Sequence, residues 1–236
     1  MVEEALRESG LTERLLVGTR IAHQGAGRAL LRRALKEALP VSLVNEDILD
    51  DLVSGAGDQG LLALVRMKRA TPDEMLQGKR EPVLLVADRI QDPGNLGTLV
   101  RLGEAAGIGG LILVPGTVDP YHTRAARASA GSILRVPVAR VEGAADFIAW
   151  CRLRKLRIAG TVPEGGTPCE EADLRGAMAL VIGNEGEGVS REWLEAAGLR
   201  LTISLEGSVQ SLNVTLAAAM VLYEAYRQRR KAPGRA

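Results

Sequence analysis

Residues 203–224 read ISLEGSVQSLNVTLAAAMVLYE. A polar corner, Ser211-Leu212-Asn213, runs straight into a stretch from Leu216 to Tyr223 in which every residue is apolar. A helix of that composition has no solvent face and must be covered all round. Ser211 and Asn213 are good N-cap types, with side-chain oxygens able to accept the orphan N–H groups of a first turn. Capping leaves the surroundings unexplained. Gly207 and Ser208 make a turn after the strand-like residues 201–205, and Leu212 sets an apolar side chain between two polar ones. A strand, a tight polar turn and a buried helix can together present backbone groups and short side chains to a small ligand. Both readings, helix cap and ligand wall, stand at this point.

Working outward, short apolar strands alternate with helical patterns at residues 83–87, 95–106, 111–114, 123–130, 144–153, 158–161 and 179–182. That alternation predicts an α/β fold with a parallel sheet flanked by helices on both faces. Ahead of it, residues 25–39 read as a helix with Ala29, Leu30, Ala34 and Leu35 inside. Residues 41–44 read as a strand, 47–53 as a helix and 61–65 as a strand. This is a small αβ unit. Between them TPDEMLQGKREP has two prolines, a glycine and mixed charges, as a linker would. The expected division is therefore a small domain at 1–70, a linker at 71–81 and a larger domain at 82–236.

The chain has 236 residues, 46% of them hydrophobic, enough for a sizeable core. No apolar run approaches the roughly 18 residues of a membrane span. The start, MVEEALRESG, lacks the basic and apolar regions of a signal peptide. Cys151 and Cys169 are the only cysteines, too few for a disulfide framework or a zinc site, which points to a reducing cytoplasm. Lys and Arg total 30 against 29 acidic residues, so net charge alone names no partner. Clusters say more: Arg28, Arg32, Arg33 and Lys36; Arg66, Lys68 and Arg69; Arg152, Arg154, Lys155 and Arg157. Such patches on a neutral chain fit a localised phosphate track, or equally solvated surface charge. Aromatic residues are only 3%, which counts against a base-stacking platform for single strands.

Two further stretches carry chemistry. In residues 88–107, DRIQDPGNLGTLVRLGEAAG, Pro93 and Gly94 make a turn and Asn95 can cap a helix buried through Leu96, Leu99, Val100 and Gly103. Arg101 on that helix could equally form a surface ion pair with Glu104. In residues 180–190, LVIGNEGEGVS, a strand runs into Gly183, Gly186 and Gly188. The spacing and the late position fail the dinucleotide-binding fingerprint, and Glu185 and Glu187 would repel a pyrophosphate. They would favour a cation, such as the sulfonium of S-adenosylmethionine.

Taken in order, D-x-x-x-D-P-x-N-x-G with a following arginine, then G-N-E-G-x-G after a strand, then S-L-N-V before an apolar helix, closely resemble the SpoU (TrmH) family of SPOUT methyltransferases. The likeness spans about residues 82–229 and extends to Arg127, Ser129 and Gly131 in RASAG. Residues 57–65, GDQGLLALV, are similar to the end of the ribosomal-protein-like RNA-binding domain that precedes many members. The resemblance implies a 2′-O-ribose methyltransferase that uses S-adenosylmethionine and no metal, with a C-terminal trefoil knot. It implies that Gly183, Ile203 and Leu212 hold the donor through backbone groups, with Glu185 and Asn213 shaping the pocket. Arg101, Asn95 and Ser211 would face the acceptor ribose, and Arg28, Arg32, Arg33 and Arg127 would meet RNA. Members are homodimers, which would bury part of the apolar helix. The leading small domain makes 23S ribosomal RNA the expected substrate, with transfer RNA the alternative. Departures are Ile203-Ser204-Leu205 where Ile-Pro-Met is common, Gln210 for a frequent Glu and Thr215 for a usual Ser. Two other classes remain: a non-enzymatic RNA-binding or ribosome-assembly protein, and a nucleotide-dependent α/β enzyme.

Overall fold

The computed structural model describes residues 1–8, 10–23, 25–53, 60–67, 69–207 and 212–230. The chain divides into two compact units, Met1–Lys68 and Arg69–Ala236.

The first unit contains α1 (Val2–Arg7), β1 (Thr12–Gly18), α2 (Gly25–Lys36), β2 (Val41–Val44), α3 (Glu46–Val53) and β3 (Leu61–Val65). Its sheet has the order β2-β1-β3, with β1 parallel to β2 and antiparallel to β3. Leu15 and Val17 of β1 pack with Ala22 and Ala34 in its core. No element was expected before residue 25, because Leu15-Leu16-Val17 is too short an apolar run to show a period among charged neighbours. It is nevertheless the central strand. Ala29 and Leu35, expected inside, are exposed, so α2 buries a narrower stripe than its composition suggests.

The second unit begins with α4 (Pro72–Leu76), inside the stretch expected to be a linker. Thr71 and Glu74 form a reciprocal capping box, and Met75 is buried against Gly110, where any added Cβ would meet its sulfur at 2.3 Å. There follow β4 (Val83–Ala87), α5 (Pro93–Ala106), β5 (Gly110–Leu113), α6 (Thr123–Ala128), β6 (Val138–Arg140), α7 (Ala144–Leu153) and β7 (Arg157–Thr161). The remaining elements are β8 (Thr167–Pro168), β9 (Met178–Ile182), α8 (Arg191–Ala196), β10 (Leu199–Thr202) and α9 (Val214–Arg230). All seven strands are parallel in the order β6-β5-β4-β9-β7-β10-β8.

Alternate residues of β4 serve opposite faces, as a strand's period of two requires. Val83, Leu85 and Ala87 join a core with Leu96, Leu99 and Val100 of α5 and with Ala218, Val221 and Leu222 of α9. Leu84 and Val86 join Phe147, Ile148 and Cys151 of α7 and Trp193 of α8. With all five β4 residues buried, each large side chain contributes about 1.5–3 kcal/mol.

The apolar helix α9 departs from expectation. It packs on α5, but Leu216, Met220 and Tyr223 are 56%, 48% and 66% exposed, forming an uncovered stripe. Among the described residues of its own unit, α9 is covered on one side only.

β10 lies between β7 and β8. Leu201 pairs with Thr161 on one side and with Thr167 on the other, so the short connection 162–166 arches across its end. The arch fits closely: Val162 N–H donates to Leu201 O at 2.8 Å, Thr202 Oγ1 donates to Pro163 O at 2.9 Å, and a Cβ on Gly166 would lie 2.8 Å from Arg200 O.

Candidate active site

The loops that follow β4, β9 and β10 leave the carboxyl ends of a parallel sheet, the edge at which such sheets hold ligands. Asp92, not Asn95, caps α5: its Oδ1 accepts the Asn95 N–H at 2.8 Å, and Pro93 occupies the first helical turn. The Asn95 side chain is thereby released. Its Nδ2 donates to Glu185 Oε1 at 3.0 Å, and its Oδ1 accepts from Asn213 Nδ2 at 3.4 Å. Asn213 also caps α9, its Oδ1 accepting the Thr215 N–H at 2.9 Å and the Thr215 hydroxyl at 2.6 Å. Capping and site geometry thus use different atoms of one amide. Asn95, Glu185 and Asn213, three of the expected site residues, form one hydrogen-bonded line that joins the first turn of α5, the loop after β9 and the residue preceding α9.

The loop after β9 closes on itself. Asn184 and Gly188 exchange backbone hydrogen bonds of 3.0 and 2.9 Å, and Asn184 Oδ1 accepts the N–H groups of Gly186 and Glu187. Gly183 makes this closure possible, because a Cβ there would stand 2.1 Å from Gly188 C and from Val189 N. The buried Asp88 accepts the Ser190 N–H at 2.7 Å, and Asn184 Nδ2 donates to Arg89 O at 2.9 Å. Arg89 pairs with Glu187, whose hydrogen bond holds the guanidinium above its usual pKa.

The other expected site residues lie as follows. Arg101 is exposed and makes no hydrogen bond or ion pair among the described residues; Glu104, its candidate partner, is paired with Arg135 instead. That pairing lowers the Glu104 pKa. Ile203 and Leu212 are half-buried, Ile203 against the sheet core. β10 ends at Thr202, short of the strand expected to reach 205, so Ile203 belongs to the loop. Ser211 lies outside the described residues.

Arg127, Arg28 and Arg32 are exposed. Arg33 is engaged within its own unit, donating to Leu6 O at 2.8 Å and pairing with Glu37. The cluster near residue 155 is also partly committed: Arg154 pairs with Asp73, and Arg157 donates to the carbonyls of Asp173 and Arg175. Both cysteines are free and buried, which pushes the thiols up to about 12 for Cys151 and about 11 for Cys169. Among the described residues no His, Cys, Asp and Glu group could hold a metal, and no helix is long and apolar enough to cross a membrane.

Motif spacing does not single out Asp88, Arg89 or Asn184 individually. Their partners lie about a hundred positions away, where no local spacing could link them.

The SpoU rRNA Methylase family matches residues 82–223, and the RNA 2′-O ribose methyltransferase substrate-binding family matches residues 1–71. The chain belongs to the SpoU rRNA methylase family. Within that family it is 32% identical to the 23S rRNA (guanosine(2553)-2′-O)-methyltransferase of Bacillus subtilis, over 94% of this chain and 84% of the relative. It is 31% identical to a 23S rRNA (guanosine-2′-O-)-methyltransferase of Escherichia coli, over 85% and 84%. Among solved structures, the SpoU methyltransferase AviRb of Streptomyces viridochromogenes in complex with AdoMet superposes with a TM-score of 0.81 at 26% identity, covering 97% of this chain and 87% of that one. Family membership sets aside the nucleotide-dependent and non-enzymatic readings: the protein is an RNA 2′-O-ribose methyltransferase using S-adenosylmethionine.

Proposed function

We propose that this methyltransferase acts on 23S ribosomal RNA, and that the line Asn213–Asn95–Glu185 is the seam between its donor and acceptor sides. That line carries the reading, because it draws together the three motifs on which the resemblance rests. The residues suit the donor: Glu185 offers an exposed carboxylate to a sulfonium, and the half-buried Ile203 and Leu212 offer apolar surface to a nucleoside. S-adenosylmethionine supplies an activated methyl, whose bond to sulfur breaks as its bond to the ribose O2′ forms.

The protein's task is to align the 2′-hydroxyl with the methyl and to ease the departure of its proton, which leaves to solvent water. Gly183, Ile203 and Leu212 hold the donor through backbone groups, and Glu185 and Asn213 shape its pocket. Asn95 and Ser211 face the ribose. Arg101, exposed and without an ion pair among the described residues, clamps a phosphate and lowers the pKa of the 2′-hydroxyl. A guanidinium surrenders a proton only above about pH 12, so the electrostatic role is the cheaper one.

The same proposal covers the wider molecule. Residues 1–70 serve as the RNA-binding domain through Arg28 and Arg32; residues 71–81, whose helix α4 packs within the second unit, lead into the methyltransferase domain at 82–236, where Arg127 adds a contact. Two copies associate through the open stripe of α9. The arch over β10 supports a trefoil knot, and the bacterial rRNA enzymes among the relatives support a cytoplasmic location.

Arg101→Ala tests the core of this reading. Transfer to unmodified 23S RNA, followed with radiolabelled donor, falls at least about 100-fold, as when a transition-state donor is removed. S-adenosylmethionine binding by calorimetry stays at the wild-type value. Full activity in the variant would sink the assignment.

A further inference from the structure

Arg89 has φ 60°, in the left-handed region that residues with a Cβ seldom adopt. Such a conformation persists where neighbours over-determine it. The Arg89 N–H donates to Thr117 Oγ1 at 3.0 Å, and this hydroxyl, on a buried residue, donates to Ala87 O at 2.8 Å. Gly116 leaves room for the arginine stem, since a Cβ there would lie 3.2 Å from Arg89 Cγ. The backbone turn thus aims the side chain at the loop after β9.

There the guanidinium meets three groups. Nη1 donates to the Glu187 carboxylate, Nη2 lies 3.4 Å from Gly188 O, and Nε is 3.5 Å from Oδ1 of Asp88, itself 1% exposed. The other Asp88 oxygen holds the Ser190 N–H, and the Arg89 carbonyl holds Asn184. Residues 88 and 89 therefore grip the loop at positions 184, 187, 188 and 190. Glu185 stands between these points, against the neutral Asn95 amide, with no cation paired to it among the described residues. Of the loop's two carboxylates, one is paired with Arg89 and the other has no cationic partner among the described residues.

We infer that Arg89 is a positioning residue for the methyl donor: by binding Glu187 and Gly188 it fixes the loop so that Glu185 is the single carboxylate presented to the sulfonium. The inference rests on the proposed reading of this loop as the donor wall. It assigns Arg89 no contact with either substrate.

Steady-state kinetics on the full chain test it with Arg89→Met, Arg89→Lys and Glu187→Gln. In Arg89→Met the KM for S-adenosylmethionine rises about tenfold, the scale of a lost charge-assisted hydrogen bond. Turnover at saturating donor and the KM for RNA stay at wild-type values, and Arg89→Lys recovers part of the donor affinity. S-adenosylhomocysteine, which lacks the positive sulfur and so makes no use of the Glu185 carboxylate, weakens less than S-adenosylmethionine does. A merely structural role would instead lower turnover through loss of folded enzyme and leave both KM values unchanged. An unchanged donor KM in Arg89→Met overturns the inference. Should that variant not fold, the exposed Glu187→Gln decides: a donor KM raised about threefold supports the inference, and wild-type behaviour overturns it. Wild-type protein that binds no S-adenosylmethionine would fail the functional reading itself, a separate result.

Discussion

Asn95, in the first turn of α5, reaches two other segments because it is spared the task its position suggests. With Asp92 as the cap, both ends of the Asn95 amide are free to reach across to Glu185 and Asn213. The sequence pointed to these residues but misassigned the cap, since Asp92 and Asn95 are both capping types three positions apart and only the helix start decides between them. Arg89 was not legible at all: its partner Glu187 lies 98 positions along the chain. Gly183 was legible as a glycine after a strand, though its reason is steric. A Cβ there would meet backbone, not a movable side chain, so Gly183→Ala costs about 1–3 kcal/mol in urea unfolding. Gly186→Ala is the control: its Cβ would find only Asn184 Oδ1, at 3.6 Å, so its midpoint stays near wild type.

Among the elements, α5 was the most legible, because Leu96, Leu99, Val100 and Gly103 repeat with helical period and all are buried. α9 was harder. An unbroken apolar run states that every face is covered, but not whether its own chain or another copy covers it. Ala218, Val221, Leu222 and Ala225 face inward, while Leu216, Met220 and Tyr223, spaced four and three apart, form the open stripe. Replacing Leu216 and Tyr223 with lysine removes apolar burial of about 1.5–3 kcal/mol per side chain at a covered interface. Sedimentation should then shift from dimer to monomer. A wild-type protein that sediments as a monomer would contradict the proposed association.

For the whole molecule, the sheet order was not legible from strand positions. β9 lies between β4 and β7, and β10 between β7 and β8; such pairings depend on which edges are open when each strand arrives. The charge pattern was legible only in outline, because helical spacing grouped Arg28, Arg32 and Arg33 without showing that Arg33 is committed to Leu6 and Glu37. Replacing Arg28 and Arg32 together with glutamine should flatten the log affinity versus log salt slope for RNA by about 1.4–1.8, two phosphate contacts' worth. Arg33→Gln should instead lower thermal stability with little change in slope. An unchanged slope in the double variant would remove the small unit from the phosphate track.

The arch at 162–166 bears on how the molecule is made. β7 and β8 flank the place of a strand that comes later in the chain, since β8 ends at Pro168 and β10 begins at Leu199. At about 5–20 residues per second on a ribosome, residue 199 is made about 1.5–6 seconds after residue 168, so β7 and β8 both exist in the chain before their shared partner does. This edge of the sheet is therefore closed by a segment synthesised after both of the strands it joins.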